Sequence, residues 1–370
     1  MSETTKLQPY VLILAGGSGT RFWPASQRRR PKHVLPGLGG DGRTLLAATI
    51  SRLLPLTRPE RIFVMTAADQ RDVVLSSCVA LPEGQILVEP EPKSTGPAVA
   101  LGILQLAQRG AGPHDAVIVL PADAYVADEE AFRATLLRAS AAAKEHKTLV
   151  MLGVTPTRPE TGYGWIEIGG STEEVVGGGS GDVWKVASFV EKPDAERAAA
   201  LLEGGKHLWN AGIFVFRLGY LWWLLGELNE EWDLAMTMMS ACLVDGDQAG
   251  LAMEYGQFEA ISFDHGVVER APSLHCVEAE FGWSDLGSWD AVADALPSHA
   301  VGAVRADRVV HKDAARNVVF APGKTVALLG VDDLIVVVTD GAVLVAPRAR
   351  AQEVRELAAE LAATGEDDSL

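Results

Sequence analysis

Apolar residues come in two arrangements along this chain. Short, mostly apolar runs at Tyr10–Leu14, Arg61–Thr66, Ile86–Glu89, Ala116–Leu120 and Leu149–Gly153 read as buried strands. Between them, Thr44–Leu54, Asp69–Val79, Gly96–Gln108 and Glu129–His146 read as helices. Strict alternation of strand and helix implies an open parallel sheet covered by helices on both faces. In such sheets ligands bind outside the carboxyl ends of the strands.

After Gly153 the pattern changes. Thr161–Ile166 (TGYGWI) reads as a strand with close backbone approach, and the Gly/Ser/Glu-rich Ser171–Gly181 as an exposed hairpin tip. A helix is predicted over Asp194–Leu202, and further helices over Leu218–Met253, where Trp222, Trp223 and Trp232 serve packing. From about Val301 the pattern is short β runs separated by turn residues: Val309–Val310, Asn317–Phe320, Thr325–Leu329, Leu334–Thr339 and Ala342–Val345. A helix over Ala351–Ala362 and an acidic, frayed tail follow. The expected division is a domain over residues 1–295 and a small β domain over 296–370.

Composition narrows the function. The chain has 370 residues, 48% hydrophobic and 22% charged, enough for two or three domains and a large core. No apolar run is long enough to span a bilayer, and the start lacks a signal-peptide pattern, so no membrane association is expected. A formal net charge of −17 argues against general nucleic-acid binding. It leaves room for an anionic small substrate, because screening confines distant charges to about 8–10 Å and a local Arg/Lys cluster then decides. Cys78, Cys242 and Cys276 are scattered without paired spacing, which points away from zinc or disulfides and towards a reducing cytoplasm.

The chemistry starts where the first strand ends. Ala15-Gly16-Gly17-Ser18-Gly19-Thr20-Arg21 is a glycine loop after a strand, whose exposed N–H groups make an anion cradle. Arg21 and Lys32 add positive charge at either end, so phosphate is the natural guest. It is not a dinucleotide fingerprint, since Phe22 stands where a glycine would be needed. A near-match to a Walker A loop at Gly37–Thr44 carries Arg43 in place of lysine and reads as a turn before a helix. A bare glycine loop is also compatible with a tight strand-to-helix turn.

The longer pattern is more specific: Gly16-Gly17-x-Gly19-x-Arg21-x-x-Pro24-x-Ser26, then Pro31-Lys32. It resembles the signature of the sugar-1-phosphate nucleotidyltransferases, most closely the mannose-1-phosphate guanylyltransferase branch. A second specific motif is Phe281-Gly282-Trp283-Ser284-Asp285-Leu286-Gly287-Ser288-Trp289. The resemblance runs from Leu12 to about Arg355. It implies a Rossmann-like open mixed or parallel sheet, followed by a small domain of left-handed β-helix type. Some relatives continue into a cupin-like isomerase domain; this chain stops, so that second activity is expected to be absent.

The resemblance also implies roles. Ala15, Gly16, Gly17, Gly19, Thr20 and Arg21 would hold the nucleoside triphosphate, with Arg21 and Lys32 on the phosphates. The segment Glu89–Ala98 would face the base, Glu89 accepting from the N1–H and amine of guanine and Thr95 beside it. Read without the resemblance, Ser94, Thr95 and Pro97 equally suit a helix start. Relatives usually carry Asn-Thr-Ala-Pro where this chain has Ser94-Thr95-Gly96-Pro97. Val117–Asp123 ends in a carboxylate at a strand's carboxyl end, where Mg²⁺ is a fitting partner and a turn or cap is the plain alternative. In the family, Asp123 and Asp285 would share that divalent metal. Gly162, Glu191, Lys192 and Asn210 would hold the sugar phosphate. His265 replaces a common tyrosine and is read as non-catalytic. Ser284 and Ser288 lack the Gly-x-Ser-x-Gly frame of a nucleophile.

The expected reaction is GTP plus α-D-mannose 1-phosphate giving GDP-mannose and pyrophosphate, with Arg21, Lys32, Asp123 and Asp285 as the catalytic set. On this reading Lys32→Ala keeps its fold and loses most turnover. The rival readings are a related transferase with another base or sugar (a heptose guanylyltransferase or a glucose thymidylyltransferase), a non-catalytic nucleotide-sugar-sensing subunit, and a plain sugar-binding module. A homodimer through the β domain is a further expectation.

Overall fold

The computed structural model describes residues 8–17, 19–39, 42–171, 183–295 and 303–363. The expected hairpin tip, apart from Ser171, and the acidic tail beyond 363 lie outside them. The first half alternates as the apolar pattern predicts: β1 (Tyr10–Ala15), α1 (Leu45–Leu53), β2 (Ile62–Ala67), α2 (Arg71–Ser77), β3 (Ile86–Glu89), α3 (Thr95–Gln108), β4 (Ala116–Pro121), β5 (Tyr125–Val126), α4 (Glu129–His146) and β6 (Leu149–Val154). Then come β7 (Trp165–Ser171), β8 (Val183–Val190), α5 (Ala195–Gly204), β9 (His207–Arg217), α6 (Leu218–Leu228), α7 (Glu230–Asp245), α8 (Gln248–Tyr255), α9 (Phe263–Gly266), β10 (Leu274–Ala279), β11 (Trp283–Ser284) and α10 (Trp289–Ala295). The chain closes with β12 (Ala303–Lys312), β13 (Val318–Leu329), β14 (Leu334–Val338), β15 (Val343–Pro347) and α11 (Val354–Ala363).

The main sheet runs β3-β2-β1-β4-β9-β6-β10-β8-β7. Its β3-β2-β1-β4 part is parallel, and β9 enters antiparallel to both β4 and β6, so the sheet is mixed. Residues of β1 divide between two cores: Tyr10 and Leu12 face one side, Val11 and Ile13 the other. A strand buried on both faces needs an unbroken apolar run, which is what the sequence shows.

The strand expected over Thr161–Ile166 begins only at Trp165. Before it the backbone turns, and a Cβ on Gly164 would sit 2.6 Å from Phe189 Cζ and 2.7 Å from Glu191 Oε2, so close approach is real there. In the C-terminal module, Asn317–Phe320 and Thr325–Leu329 belong to one strand, β13, which takes Gly323 through φ 73. β12, β13 and β14 pair in parallel, the arrangement of a β-helix, and β15 is antiparallel to β14. The last helix starts at Val354, after a 3-10 turn over Arg348–Glu353.

One core joins the module to the sheet domain. Phe22, Trp23, Leu286 and Trp289 pack with Phe320, Ile335, Val337 and Val354. Trp289 stacks obliquely on Phe22 on one side and Phe320 on the other, with ring centroids 4.9 and 5.2 Å away. Phe22 immediately follows Arg21, so the module buttresses the glycine loop.

Candidate active site

The glycine loop leaves β1 at the carboxyl edge of the sheet. Thr66 on β2 and Gln70 in the 3-10 turn after it support it: Thr66 Oγ1 donates to the Ala15 carbonyl (2.9 Å) and Gln70 Nε2 to the carbonyl of Arg28 (3.0 Å). Gly17 takes φ 100 and Gly19 φ 59, both left-handed. At Gly19 there is a second reason for glycine. A Cβ would stand 2.7 Å from Ser26 Oγ and 3.1 Å from Lys32 Cβ, so the lysine segment packs directly beneath the loop.

Lys32 is buried. Its Nζ donates to the carbonyls of Asp285 (2.8 Å) and Leu286 (3.0 Å) and pairs with Asp123 Oδ2 at 2.8 Å. Burial pushes the Asp123 carboxyl up, but the Lys32 ammonium outweighs it and holds the acid below the usual carboxylate range. Asp285 Oδ1 accepts from the Tyr163 hydroxyl (2.7 Å) and the Gly287 N–H (2.9 Å). Arg21 Nη1 donates to the Gly287 carbonyl (3.0 Å) and reaches Gln352 Oε1 of the C-terminal module at 3.5 Å.

The fold brings the two carboxylates together through a two-stranded ribbon. β5 follows Asp123, β11 precedes Asp285, and Tyr125 pairs with Ser284 and Val126 with Trp283. β1 and β4 are parallel neighbours, with Leu14 opposite Pro121, which sets the glycine loop beside Asp123. The result is a cleft of about 320 Å³. Gly19, Thr20, Arg21, Lys32, Asp123 and Asp285 all line it. Ala15 is buried below it at the end of β1, with Gly16 and Gly17 exposed above.

The other predicted residues form two neighbouring groups. At β3, Glu89 is only 7% exposed and accepts from the Tyr255 hydroxyl at 3.0 Å; burial raises its carboxyl. Thr95 Oγ1 accepts from the Phe263 N–H (2.8 Å). Ser94 sits at φ 69, ψ −174, a region nearly confined to glycine, so the α3 entrance is strained. In the second group, Asn210 Nδ2 donates to Asp264 Oδ1 (2.7 Å) and its Oδ1 accepts from Gly212 N–H (3.0 Å). Glu191 pairs with the exposed Lys192 at 2.7 Å, and the Gly162 N–H donates to Glu160 Oε1 (3.0 Å). Burial and then the Glu191 charge push the Asp264 carboxyl up to about 6.

Two polar residues here have no counterpart in the sequence reading. Tyr163 lies between Trp209 and Trp283, each edge-on at 5.3 Å, with burial and then Asp285 raising its phenol, so its hydroxyl stays a donor to Asp285. Its signal was its place between Gly162 and Gly164 in a stretch marked for close approach. Asp264 stands beside His265, whose ring nitrogen meets Ser262 Oγ at the surface. The histidine drew the eye, although the aspartate is the residue turned inward.

The nucleotidyl transferase family model matches residues 10–300, and that of the MannoseP isomerase/GMP-like β-helix domain matches 307–361. Mannose-1-phosphate guanylyltransferase of Escherichia coli (strain K12) is 36% identical over 365 residues, spanning 96% of this chain and 74% of that protein. The alginate biosynthesis protein AlgA of Pseudomonas aeruginosa is 33% identical over 364 residues, 97% and 73% of the two chains. Among solved structures, one named mannose-1-phosphate geranyltransferase from Thermus thermophilus superposes with a TM-score of 0.84 at 35% identity, covering 95% of this chain and 98% of that one. Family match, relatives along nearly the whole length and shared architecture agree: the chain belongs to the nucleotidyl transferase family, in its mannose-1-phosphate guanylyltransferase branch.

Proposed function

We propose that the protein transfers the guanylyl group of GTP to α-D-mannose 1-phosphate, giving GDP-mannose and pyrophosphate. The observation that carries this is one cleft lined by the glycine loop, Arg21, Lys32 and two carboxylates, Asp123 and Asp285. A phosphate oxygen of the sugar phosphate attacks the α-phosphorus in line, and the bond to the oxygen bridging to the β-phosphate breaks. The attacking oxygen is already anionic at neutral pH, so no general base is needed. The chain's task is positioning and charge neutralisation. Loop N–H groups and Arg21 take the triphosphate, and Lys32 sits between the two carboxylate-bearing segments to meet the phosphates as charge shifts.

Asp123 and Asp285 fit a hard divalent cation. They are oxygen donors that line the same cleft. They would hold Mg²⁺ or another divalent cation, which supplies neutralisation of phosphate charge when bound. Glu89 and Thr95 are assigned to the base side. Glu191, Lys192, Asn210 and the Gly162 backbone are assigned to the sugar phosphate. Among the described residues no helix is long and apolar enough to cross a membrane.

The test is pyrophosphate release with Mg²⁺, crossing the four nucleoside triphosphates with mannose, glucose and heptose 1-phosphates. Signal confined to GTP with mannose 1-phosphate is expected. Release with another pair moves the substrate assignment and keeps the mechanism; silence with nucleotide still bound makes the chain a nucleotide-sugar sensor.

A further inference from the structure

Asn210 is held in one orientation by two bonds of opposite sense. Its Oδ1 accepts from the Gly212 N–H at 3.0 Å and its Nδ2 donates to Asp264 Oδ1 at 2.7 Å. Flipping the amide would set N–H against N–H and oxygen against carboxylate, so the orientation follows from the network. One amide N–H is left over for a ligand.

Asp264 accepts from its own backbone N–H in the first turn of α9, which does not account for its turn towards Asn210. It lies on the four-residue α9, whose N-terminus is capped by Ser262, with Ser262 Oγ accepting from the His265 N–H (3.2 Å). A helix this short gains little from an extra acid. The carboxylate instead turns to Asn210, close enough to the Glu191 carboxylate for like-charge repulsion, while Lys192 is engaged with Glu191 at 2.7 Å. The Asp264 carboxylate, on the Asn210 amide, and the buried Glu191 carboxylate repel one another, which raises the free energy of the folded chain, an arrangement frequent at functional sites.

The turn that carries Asp264 is fixed from elsewhere. Phe263 N–H donates to Thr95 Oγ1 (2.8 Å), and Gly96 N–H donates to the Ile261 carbonyl (3.0 Å). The first turn of α3 therefore sets where Asp264 stands, and Asp264 sets how Asn210 points.

We propose that Asp264 is a positioning residue for the sugar phosphate, acting through Asn210 by locking the amide so that its free N–H meets a sugar oxygen. This rests on the assignment of Asn210 to the sugar phosphate made above.

The test uses the full chain and its Asp264→Asn, Asn210→Ala and double variants. KM for mannose 1-phosphate and KM for GTP are measured separately, with thermal midpoints at pH 7.5. Asp264→Asn is isosteric and its oxygen can still accept from Asn210, but its own amide can turn either way and the lock is lost. Expected is a rise of about tenfold in KM for the sugar phosphate, with KM for GTP within about twofold. The midpoint at pH 7.5 should rise, because an ill-favoured buried charge is removed. In the Asn210→Ala background the same substitution should add nothing to the sugar KM. An unchanged sugar KM in Asp264→Asn, beside a raised one in Asn210→Ala, overturns the role of Asp264 and leaves the sugar assignment standing. Unchanged values in both overturn that assignment itself. A lowered midpoint with both KM values raised alike makes Asp264 merely structural and overturns the proposal.

Discussion

Lys32 and Asp123 meet at 2.8 Å where the segment after the glycine loop passes the end of β4, and the same ammonium holds the carbonyls of Asp285 and Leu286. One lysine thus ties three segments around the cleft. Lys32→Ala is expected to keep its fold, and these bonds add that it does so at a cost in stability. The substitution leaves two carbonyls and a carboxylate without their donor. It should cost about 2 kcal/mol, at the low end because the Asp123 side chain is 36% exposed and water can replace part of the loss. Turnover should fall by about 10²–10³-fold. Urea titration and steady-state turnover of the same preparation check both; near-normal turnover would remove Lys32 from the chemistry. Asp123 has a depressed acid, so its share of stability is complete above the ordinary value of 3.8 and is lost as pH falls through its lower folded value.

With Asp285 in the cation-holding role proposed above, the Tyr163 hydroxyl on its Oδ1 predicts a defect in metal use rather than in folding. Tyr163→Phe keeps the ring between Trp209 and Trp283 and removes one donor. Among the described residues the carboxylate then keeps the Gly287 N–H, and if Asp285 holds the cation as proposed, groups that orient a ligand in this way are typically worth about 10–100-fold in metal affinity. The Mg²⁺ concentration giving half-maximal turnover should rise by about that factor, with stability within about 1 kcal/mol. A metal titration superimposable on that of the parent would show that Tyr163 only packs.

Gly287 offers a sharper probe of the geometry. A Cβ there would lie 2.5 Å from Asp285 Oδ2 and 3.0 Å from Arg21 Nη1, displacing one or both. Gly287→Ala should lower turnover about 10²-fold, the scale of a misplacement near 1 Å, while the core around Trp289 stays intact. Turnover and thermal midpoint together decide: a large loss of both would place the damage in the core instead.

How far the sequence revealed this site depended on whether local pattern or long-range packing set each feature. The glycine loop was legible because Gly17 and Gly19 must be glycine for reasons of backbone angle and close approach. The parallel β3-β2-β1-β4 strands were legible because burial on two faces demands unbroken apolar runs. The antiparallel entry of β9 was not, since its residues look the same in either direction. Nor was the wrapping of Lys32 by Asp285 and Leu286, which depends on the β5–β11 ribbon, two residues in each strand. Pairings that short leave no periodicity to read. Asp264 was hidden for another reason: its partner Asn210 comes from a distant strand, and nothing in the residues around Asp264 announces it.

His275 yields a prediction about acid sensitivity away from the cleft. It sits on β10, 5% exposed, stacked on His146 with ring centroids 4.8 Å apart. Burial, then the neighbouring His146 and Lys185, lower it from 6.5 to about 4. It thus stays neutral in the folded chain while the unfolded chain takes up a proton near its ordinary value. Stability is complete above pH 6.5 and is lost as pH falls from there towards 4, because the unfolded state then binds more protons. The slope for one such group is about 1.4 kcal/mol per pH unit. His275→Gln removes the titrating ring and should flatten the unfolding free energy by about that slope between pH 6 and pH 5. Urea unfolding at those two pH values measures it. An equal slope in parent and variant would mean that His275 takes its proton in the folded chain as readily as in the unfolded one.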